Sequence, residues 1–413
     1  MQKVLHFKPS DFVSVLKVIA VKVPNKKVSS IRKSLAKYIY IRPKMKVIRP
    51  VDNEPDYRYI LLNDSIKDTT LSEIPKDIVE SIKSDLSDVV KLEVPLNYEF
   101  YTAEEILKKI LPEGMEIPSA YETVGTLIHL NLRDEQLPWK YDIGQVLLDK
   151  TPSVKTVINK TGKIDTVFRT FNMEVLAGED NTYVELKEEG CIFGFDYAKV
   201  YWNSRLQQEH TRLVESLPAK TCILADMFCG VGPFALPAGK RGIRVYANDL
   251  NPMSYYYLEE NIKRNKLSSK VTPYNMDGRD FIKLLIQEKK QFTDVIMNLP
   301  ASSELFTDVF SGTFIGWPYS LPTIHCYAFS KEKDPIQDLI NRIGVVMGGS
   351  IQDHVISTRL VRDVSPKKMM VLITFKVPEY LATKTKDSKE EQEYISKRQK
   401  LTENDDSNED EDD

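Results

Sequence analysis

Cysteine is scarce in this chain, with four in 413 residues (Cys191, Cys222, Cys229 and Cys326) and no Cys-x-x-Cys pair among them. That usage excludes a disulfide framework and suits reduced thiols. Cys222 and Cys229 sit in or beside an apolar run, where small-residue packing is their natural role. The five histidines do not stand with Cys or acids at ligand spacing, so no structural zinc is expected. No apolar run approaches the roughly 20 residues that a membrane span requires, so no membrane partner is expected. No internal repeat is found. What remains, 42% apolar and 28% charged residues, is the composition of a globular intracellular enzyme too long for one ordinary domain.

Acid is missing from one end and concentrated at the other. The first fifty residues hold many Lys and Arg but a single acid, Asp11, whereas residues 402–413 are mostly Asp and Glu. The net charge of −3 therefore hides a basic body. Such a body suits a phosphate-rich partner, whose condensed counterions the cations displace. A solvated lysine surface is the plainer alternative.

The densest pattern runs from Ile223 to Leu250. Apolar Ile223-Leu224-Ala225-Asp226-Met227-Phe228 leads into Cys229-Gly230-Val231-Gly232-Pro233, which reads as a strand, a glycine turn and a helix start. Glycines there let the backbone approach a ligand, and the helix N-terminus faces it with free N–H groups. A second strand, Ile243 to Asn248, delivers Asp249, an acid placed to grip ribose hydroxyls. Alone, this pattern also fits a dinucleotide site, because Gly230, Gly232 and Ala235 satisfy that fingerprint.

The following segments repeat the design. Asn251-Pro252 opens a helix through Leu267, and the strand Val271 to Met276 ends at Asp277-Gly278, an acid able to accept an adenine amino group. A helix around Phe281 to Ile286 comes next, and the strand Phe292 to Met297 ends at Asn298-Leu299-Pro300. Two acids and an amide thus close three successive strands, whose ends line one crevice in an open α/β sheet. Taken by itself, Glu209 reads as a solvated helix residue paired with Arg205 or Arg212, and Arg169 as an exposed strand residue. Asn298, ending a buried strand before a turn, reads as functional even unaided.

Three pieces carry a resemblance: Asp226 through Phe234, Asn298-Leu299-Pro300, and Val200-Tyr201-Trp202-Asn203-Ser204-Arg205-Leu206-Gln207-Gln208-Glu209. They are similar to the archaeal and eukaryotic tRNA guanine N1-methyltransferases, which methylate the guanosine 3′ of the anticodon, position 37. The resemblance covers nearly all the chain before the acidic tail, with Ser204 standing where family members often have Pro. It implies S-adenosylmethionine as cofactor and tRNA as partner. By the same resemblance, Glu209 takes the N1 proton, Arg169 stabilises O6, Asn298 holds the guanine edge and Pro300 shapes the wall beside it. Tyr201 stacks on a base or lines the pocket, unless its pairing with Trp202 is ordinary core. The donor's pocket would hold His210, Phe228, Gly230, Gly232, Asp249, Leu250, Asp277, Gly278 and Asn298.

The expected fold class is α/β: a class I, Rossmann-like methyltransferase with a doubly wound sheet and a terminal antiparallel strand, preceded by two smaller α+β domains. Residues 353–362 and 368–375 flank Pro366 like a hairpin, which nicotinamide domains usually lack. The boundaries predicted are 1–99 for a tRNA-binding domain and 100–200 for a second body that carries Arg169. The methyltransferase domain follows over 201–380, then a disordered acidic tail over 381–413. A basic helix over Val28 to Tyr40 is expected in the first body. Three competing readings stay open: a wybutosine-pathway aminocarboxypropyl transferase using the same cofactor, an NAD-dependent oxidoreductase, and a tRNA-binding module without catalysis. A monomer is expected, in cytoplasm and nucleus, with the mitochondrial matrix open because the N-terminus is poor in acid.

Overall fold

The computed structural model describes residues 5–118, 121–161, 172–365 and 367–385. They divide into two compact units, one of residues up to 122 with 128–160 and 174–180, the other of residues 123–127, 161–173 and 181 onward.

The first unit is built on β1 (Ser14–Pro24), β2 (Ile48–Val51), β3 (Glu54–Leu61) and β4 (Asp88–Leu96), in the order β2-β3-β1-β4 with every neighbour antiparallel. β1 is apolar at consecutive positions because both faces are covered. Ile19, Val21 and Val23 join a core with Ile31 of helix α1 (Val28–Ser34) and Ile82 of α2 (Lys76–Lys83). Val18 and Ala20, on the opposite face, join Phe12 and Tyr98, Ile106 of α3 (Ala103–Ile110) and Ile143 of α4 (Lys140–Lys150). Thr102 starts α3 with a reciprocal cap, its hydroxyl accepting the Glu105 N–H at 3.1 Å while the Glu105 carboxylate accepts the Thr102 N–H at 2.8 Å. A second sheet has the order β5-β6-β7-β8, from β5 (Glu122–Val124), β6 (Leu127–Leu130), β7 (Thr156–Thr161) and β8 (Asn172–Gly178).

Two expectations are corrected here. A boundary at residue 99 does not exist, because residues on both sides of it bury their side chains in one core. The helix expected over Val28 to Tyr40 ends at Ser34 and gives way to a 3₁₀ turn at Ala36–Tyr38. The chain turns there because Ile39 bridges Leu62 and the Tyr40 N–H donates to the Leu61 carbonyl at 3.0 Å, which a continuing helix would forbid.

The second unit opens with an antiparallel hairpin, β9 (Tyr183–Glu188) and β10 (Cys191–Asp196), followed by α5 (Gln207–Ser216). Its main sheet has the order β13-β12-β11-β14-β15-β17-β16. The parallel strands are β11 (Ile223–Asp226), β12 (Arg244–Asn248), β13 (Val271–Tyr274), β14 (Asp294–Asn298) and β15 (Thr323–Ser330). β16 (Val355–Ser365) and β17 (Lys368–Lys376) form the expected hairpin, with β17 antiparallel to both β15 and β16. Pro366 itself lies outside the described residues. Helices α6 (Ala235–Lys240), α7 (Pro252–Arg264), α8 (Gly278–Gln287), α9 (Pro335–Met347) and α10 (Glu379–Ala382) complete the unit. The strand order reverses between β11 and β14, and a crevice for ligands opens at such a switch point.

The expected domain limits at 200 and 380 also shift. Hairpin β9-β10 is fastened to α7, because Asn261 Oδ1 accepts the Gly194 N–H and Asn265 Oδ1 accepts the Ile192 N–H, each at 2.8 Å. It therefore belongs to the second unit. At the other end, Leu381 and Ala382 are fully buried in the main core, and their carbonyls accept the N–H groups of Gly312 and Phe314. The folded body thus runs past 380, and the rest of the predicted tail, from residue 386, lies outside the described residues. All four cysteines are buried and free; burial, followed by the charge of Asp294, pushes the Cys222 thiol up to about 12. No helix among the described residues is long and apolar enough to cross a membrane.

Candidate active site

The glycine turn follows β11 at the switch point. Gly230 and Gly232 take φ of +53° and +99°, values that L side chains rarely adopt. A Cβ at Gly230 would meet nothing within 4 Å, so the space over the turn is open. Asp249 holds the turn in shape: its carboxylate accepts the Gly230 N–H at 2.9 Å and the Asn251 N–H at 2.9 Å. Burial raises its carboxyl, and those backbone hydrogen bonds pull the other way. Asp249 is thus a support of the turn as well as a candidate ribose acceptor.

Asn248, which sequence reasoning passed over, ties the strand ends together. Its amide donates to the carbonyls of Met227 at 3.1 Å and Met276 at 3.0 Å, and its oxygen accepts the Met276 N–H at 3.1 Å. Asp277 caps α8 by accepting the Arg279 N–H at 2.8 Å. Next to it, a side chain at Gly278 would press within 2.9 Å of Met227 and Phe228, so only glycine leaves those side chains in place. The Phe228 ring meets Phe306 edge-on at 5.0 Å. Leu250, beside Asp249, is 47% exposed. Among the described residues the Asn298 side-chain oxygen is buried with no hydrogen-bond partner. A buried acceptor left unpaired costs about 1–3 kcal/mol, and a ligand donor would relieve it.

Glu209 is not the solvated helix acid that its sequence context suggests. It is 6% exposed, and the paired arginine is Arg212, which donates to it from Nε at 2.8 Å and Nη2 at 2.5 Å. The hydroxyl of Tyr327 donates to Oε1 at 2.8 Å, and Arg359 Nε donates to Oε2 at 3.1 Å. Burial is the largest influence and pushes the carboxyl up. Hydrogen bonds from Arg212 and Tyr327, with the charges of Arg212 and Arg359, outweigh it and leave the group below its ordinary range. Tyr327 moves the other way: burial and the neighbouring Glu209 charge hold its hydroxyl protonated, so it stays a donor.

Tyr327 also joins the parts of the site. It stands opposite Asn298 in the register of β14 and β15, and its ring lies 5.9 Å from Phe234, two residues past the glycine turn. Phe234 meets the His210 ring edge-on at 4.7 Å, and His210 Nδ1 lies 3.0 Å from Glu188 Oε1, both side chains buried. Glu209, His210, Asn298 and the glycine turn therefore form one connected group. Pro300 adjoins it, its carbonyl accepting the Phe329 N–H at 2.7 Å. Tyr201 is 43% exposed, with its hydroxyl accepting from Asn203 at 3.3 Å. Arg169 lies outside the described residues. Tyr327 and Arg359, not selected from sequence, complete the cluster together with Arg212, the helix neighbour already expected to pair with Glu209. For Tyr327 the available signal was a tyrosine beside Cys326 and Ala328, since a buried hydroxyl needs a partner.

The arrangement offers open space over a glycine turn, acids at two strand ends, an unpaired buried amide oxygen and an ionised carboxylate. These suit a nucleoside-bearing group and removal of a proton. No group of three or more His, Cys, Asp or Glu is placed to hold a metal among the described residues.

Comparison with known proteins gives matching results. The model of the TRM5/TYW2 methyltransferase domain matches residues 184–347, and that of the TYW2 N-terminal domain matches residues 103–182. The chain is 46% identical over 400 residues to a tRNA (guanine(37)-N(1))-methyltransferase of Phytophthora infestans, covering 95% of this chain and 97% of that one. It is 46% identical over 378 residues to a Dictyostelium discoideum protein of the same name, covering 90% and 81%. Among solved structures, Trm5b from Pyrococcus abyssi is similar at a TM-score of 0.61 and 25% identity, over 87% of this chain and 99% of that one.

Proposed function

The chain belongs to the TRM5/TYW2 methyltransferase family, and from that premise we propose that it methylates N1 of guanosine 37 in tRNA, using S-adenosylmethionine. The relatives at 46% identity over most of both chains carry the name of that activity, which favours methyl transfer over the aminocarboxypropyl and nicotinamide alternatives.

When bound, S-adenosylmethionine supplies a methyl carbon activated by a sulfonium. What the chain must add follows from guanine itself: N1 carries a proton and its lone pair is delocalised into the ring. Glu209 is the base that takes that proton, breaking the N–H bond so that the electron pair stays on N1. The observation that carries this role is an ionised, largely buried carboxylate whose partner Tyr327 stands across from Asn298. Asn298 Oδ1 is the acceptor reserved for the guanine edge or the donor's polar end. Gly230, Gly232, Asp249, Asp277 and Gly278 hold the nucleoside portion, with His210 and Phe234 forming its apolar flank. Arg169 is assigned to O6 from the family resemblance alone. Basic residues of the first unit contact tRNA phosphates, in keeping with their low-acid segment.

Incubating the protein with radiolabelled S-adenosylmethionine and unmodified tRNA transcripts, followed by mapping of the label, tests the activity; label anywhere but N1 of guanosine 37 refutes it. Glu209→Gln tests the base. Its single-turnover rate is expected to fall about 10²- to 10⁴-fold with little change in donor affinity, and an unchanged rate removes Glu209 from the chemistry.

A further inference from the structure

Every acceptor position of the Glu209 carboxylate is taken. Oε1 receives Arg212 Nη2 and the Tyr327 hydroxyl; Oε2 receives Arg212 Nε and Arg359 Nε. A carboxylate has about four lone-pair sites. In this state Glu209 cannot receive the proton that the proposed function requires of it, so one donor must leave.

The three donors are not equally able to do so. Arg212 makes two bonds from three residues away on the same helix and would have to break both. Tyr327 is fully buried in the middle of the sheet, with no room for its ring to swing. Arg359 makes one bond, the longest of the four, from a side chain 49% exposed on the edge strand β16.

We propose that Arg359 is a displaceable positioning residue, which covers Oε2 of Glu209 until a substrate nucleotide enters and then passes its guanidinium to a phosphate of that nucleotide's backbone. This rests on the reading of Glu209 as the base. Phosphates are the only anionic groups that an RNA brings, and a guanidinium binds them through paired hydrogen bonds. Departure of Arg359 opens one lone pair on Oε2. The N1–H bond then breaks with its electrons kept by nitrogen, and the proton forms an O–H bond at Oε2, while Arg212 and Tyr327 continue to orient the group. An empty site thus keeps its base covered, and RNA uncovers it.

Arg359→Met in the full chain tests this with two readouts. The first is tRNA affinity against salt without the donor. Losing one phosphate contact makes the slope of log K against log salt shallower by about 0.7 to 0.9, and Arg359→Lys is expected to restore it. The second is the single-turnover rate against pH with donor saturating, at subsaturating and at saturating tRNA. At subsaturating tRNA the acid limb moves to higher pH, because a cation that holds Glu209 ionised in the empty site is gone; at saturating tRNA, where Arg359 has already left Glu209, the limb stays where the unaltered protein has it. The plateau rate at saturating tRNA stays within about threefold. A plateau more than about tenfold lower with an unchanged salt slope overturns the proposal, since Arg359 would then be a permanent orienting group. An unmoved limb at subsaturating tRNA with an unmoved slope overturns it as well. Failure of the base reading has a different signature: Glu209→Gln would keep its rate while Arg359→Met still altered the salt slope.

Discussion

Asp226, the last residue of β11, is fully buried, and neither carboxyl oxygen has a hydrogen-bond partner among the described residues. Burial, and after it the charge of Asp249, holds its carboxyl well above the usual range. In the unfolded chain the same group ionises near pH 3.9. Folding must therefore keep it neutral at a cost that is absent below that pH and grows above it. Asp226→Asn, similar in size and unable to ionise, is expected to stabilise the fold, and the gain widens with pH by at most about 1.4 kcal/mol per unit. Urea unfolding at pH 5 and pH 8 checks it; equal gains at the two would mean that Asp226 is charged in the folded chain. A run of residues shows where acids fall but not whether they are dry. Glu209 and Asp226 both look ordinary in sequence, and only their neighbours in space set them apart.

At the scale of elements, the ends of β11, β12 and β13 are laced by a single side chain. Asn248→Ala would leave two carbonyls and one N–H without their partner, at a cost of about 1–3 kcal/mol each where water cannot replace it. Lower stability together with weaker donor binding is expected, measured by urea unfolding and by titration with S-adenosylmethionine. Stability lost with donor affinity intact would confine Asn248 to a structural role. Parallel strands β11 to β14 were legible because buried strands read as short apolar runs punctuated by glycine, Asn or Asp. Limits slipped by a few residues: the strand expected from Phe292 starts at Asp294, since Phe292 is buried in the core ahead of the ladder. β2, β3, β4, β5, β10 and β15 were not read at all. β3 and β4 mix charges with half-buried apolar positions, and what makes them strands is pairing with β1.

For the whole molecule, the limit of the folded body is open to a simple trial. A chain ending at Thr385 is expected to match the full protein in unfolding midpoint and methylation rate. A chain ending at Pro378 loses the buried Leu381 and Ala382 with two backbone hydrogen bonds, and is expected to unfold at clearly lower urea. Equal stability of the two truncations would show that α10 is not part of the core. The sequence by itself determined the class of sheet, the glycine turn, the acids and amide at the strand ends, and the basic character of the body before its acidic end. Each of these is a local matter of periodicity, backbone freedom or charge, and neighbours along the chain carry it. Tertiary structure alone decided that residues before and after 99 share a core, that hairpin β9-β10 belongs with α7, and that Tyr327 and Arg359 converge on Glu209. Those outcomes depend on which side chains, up to 150 positions apart, are brought within hydrogen-bond reach, and no local pattern encodes that distance.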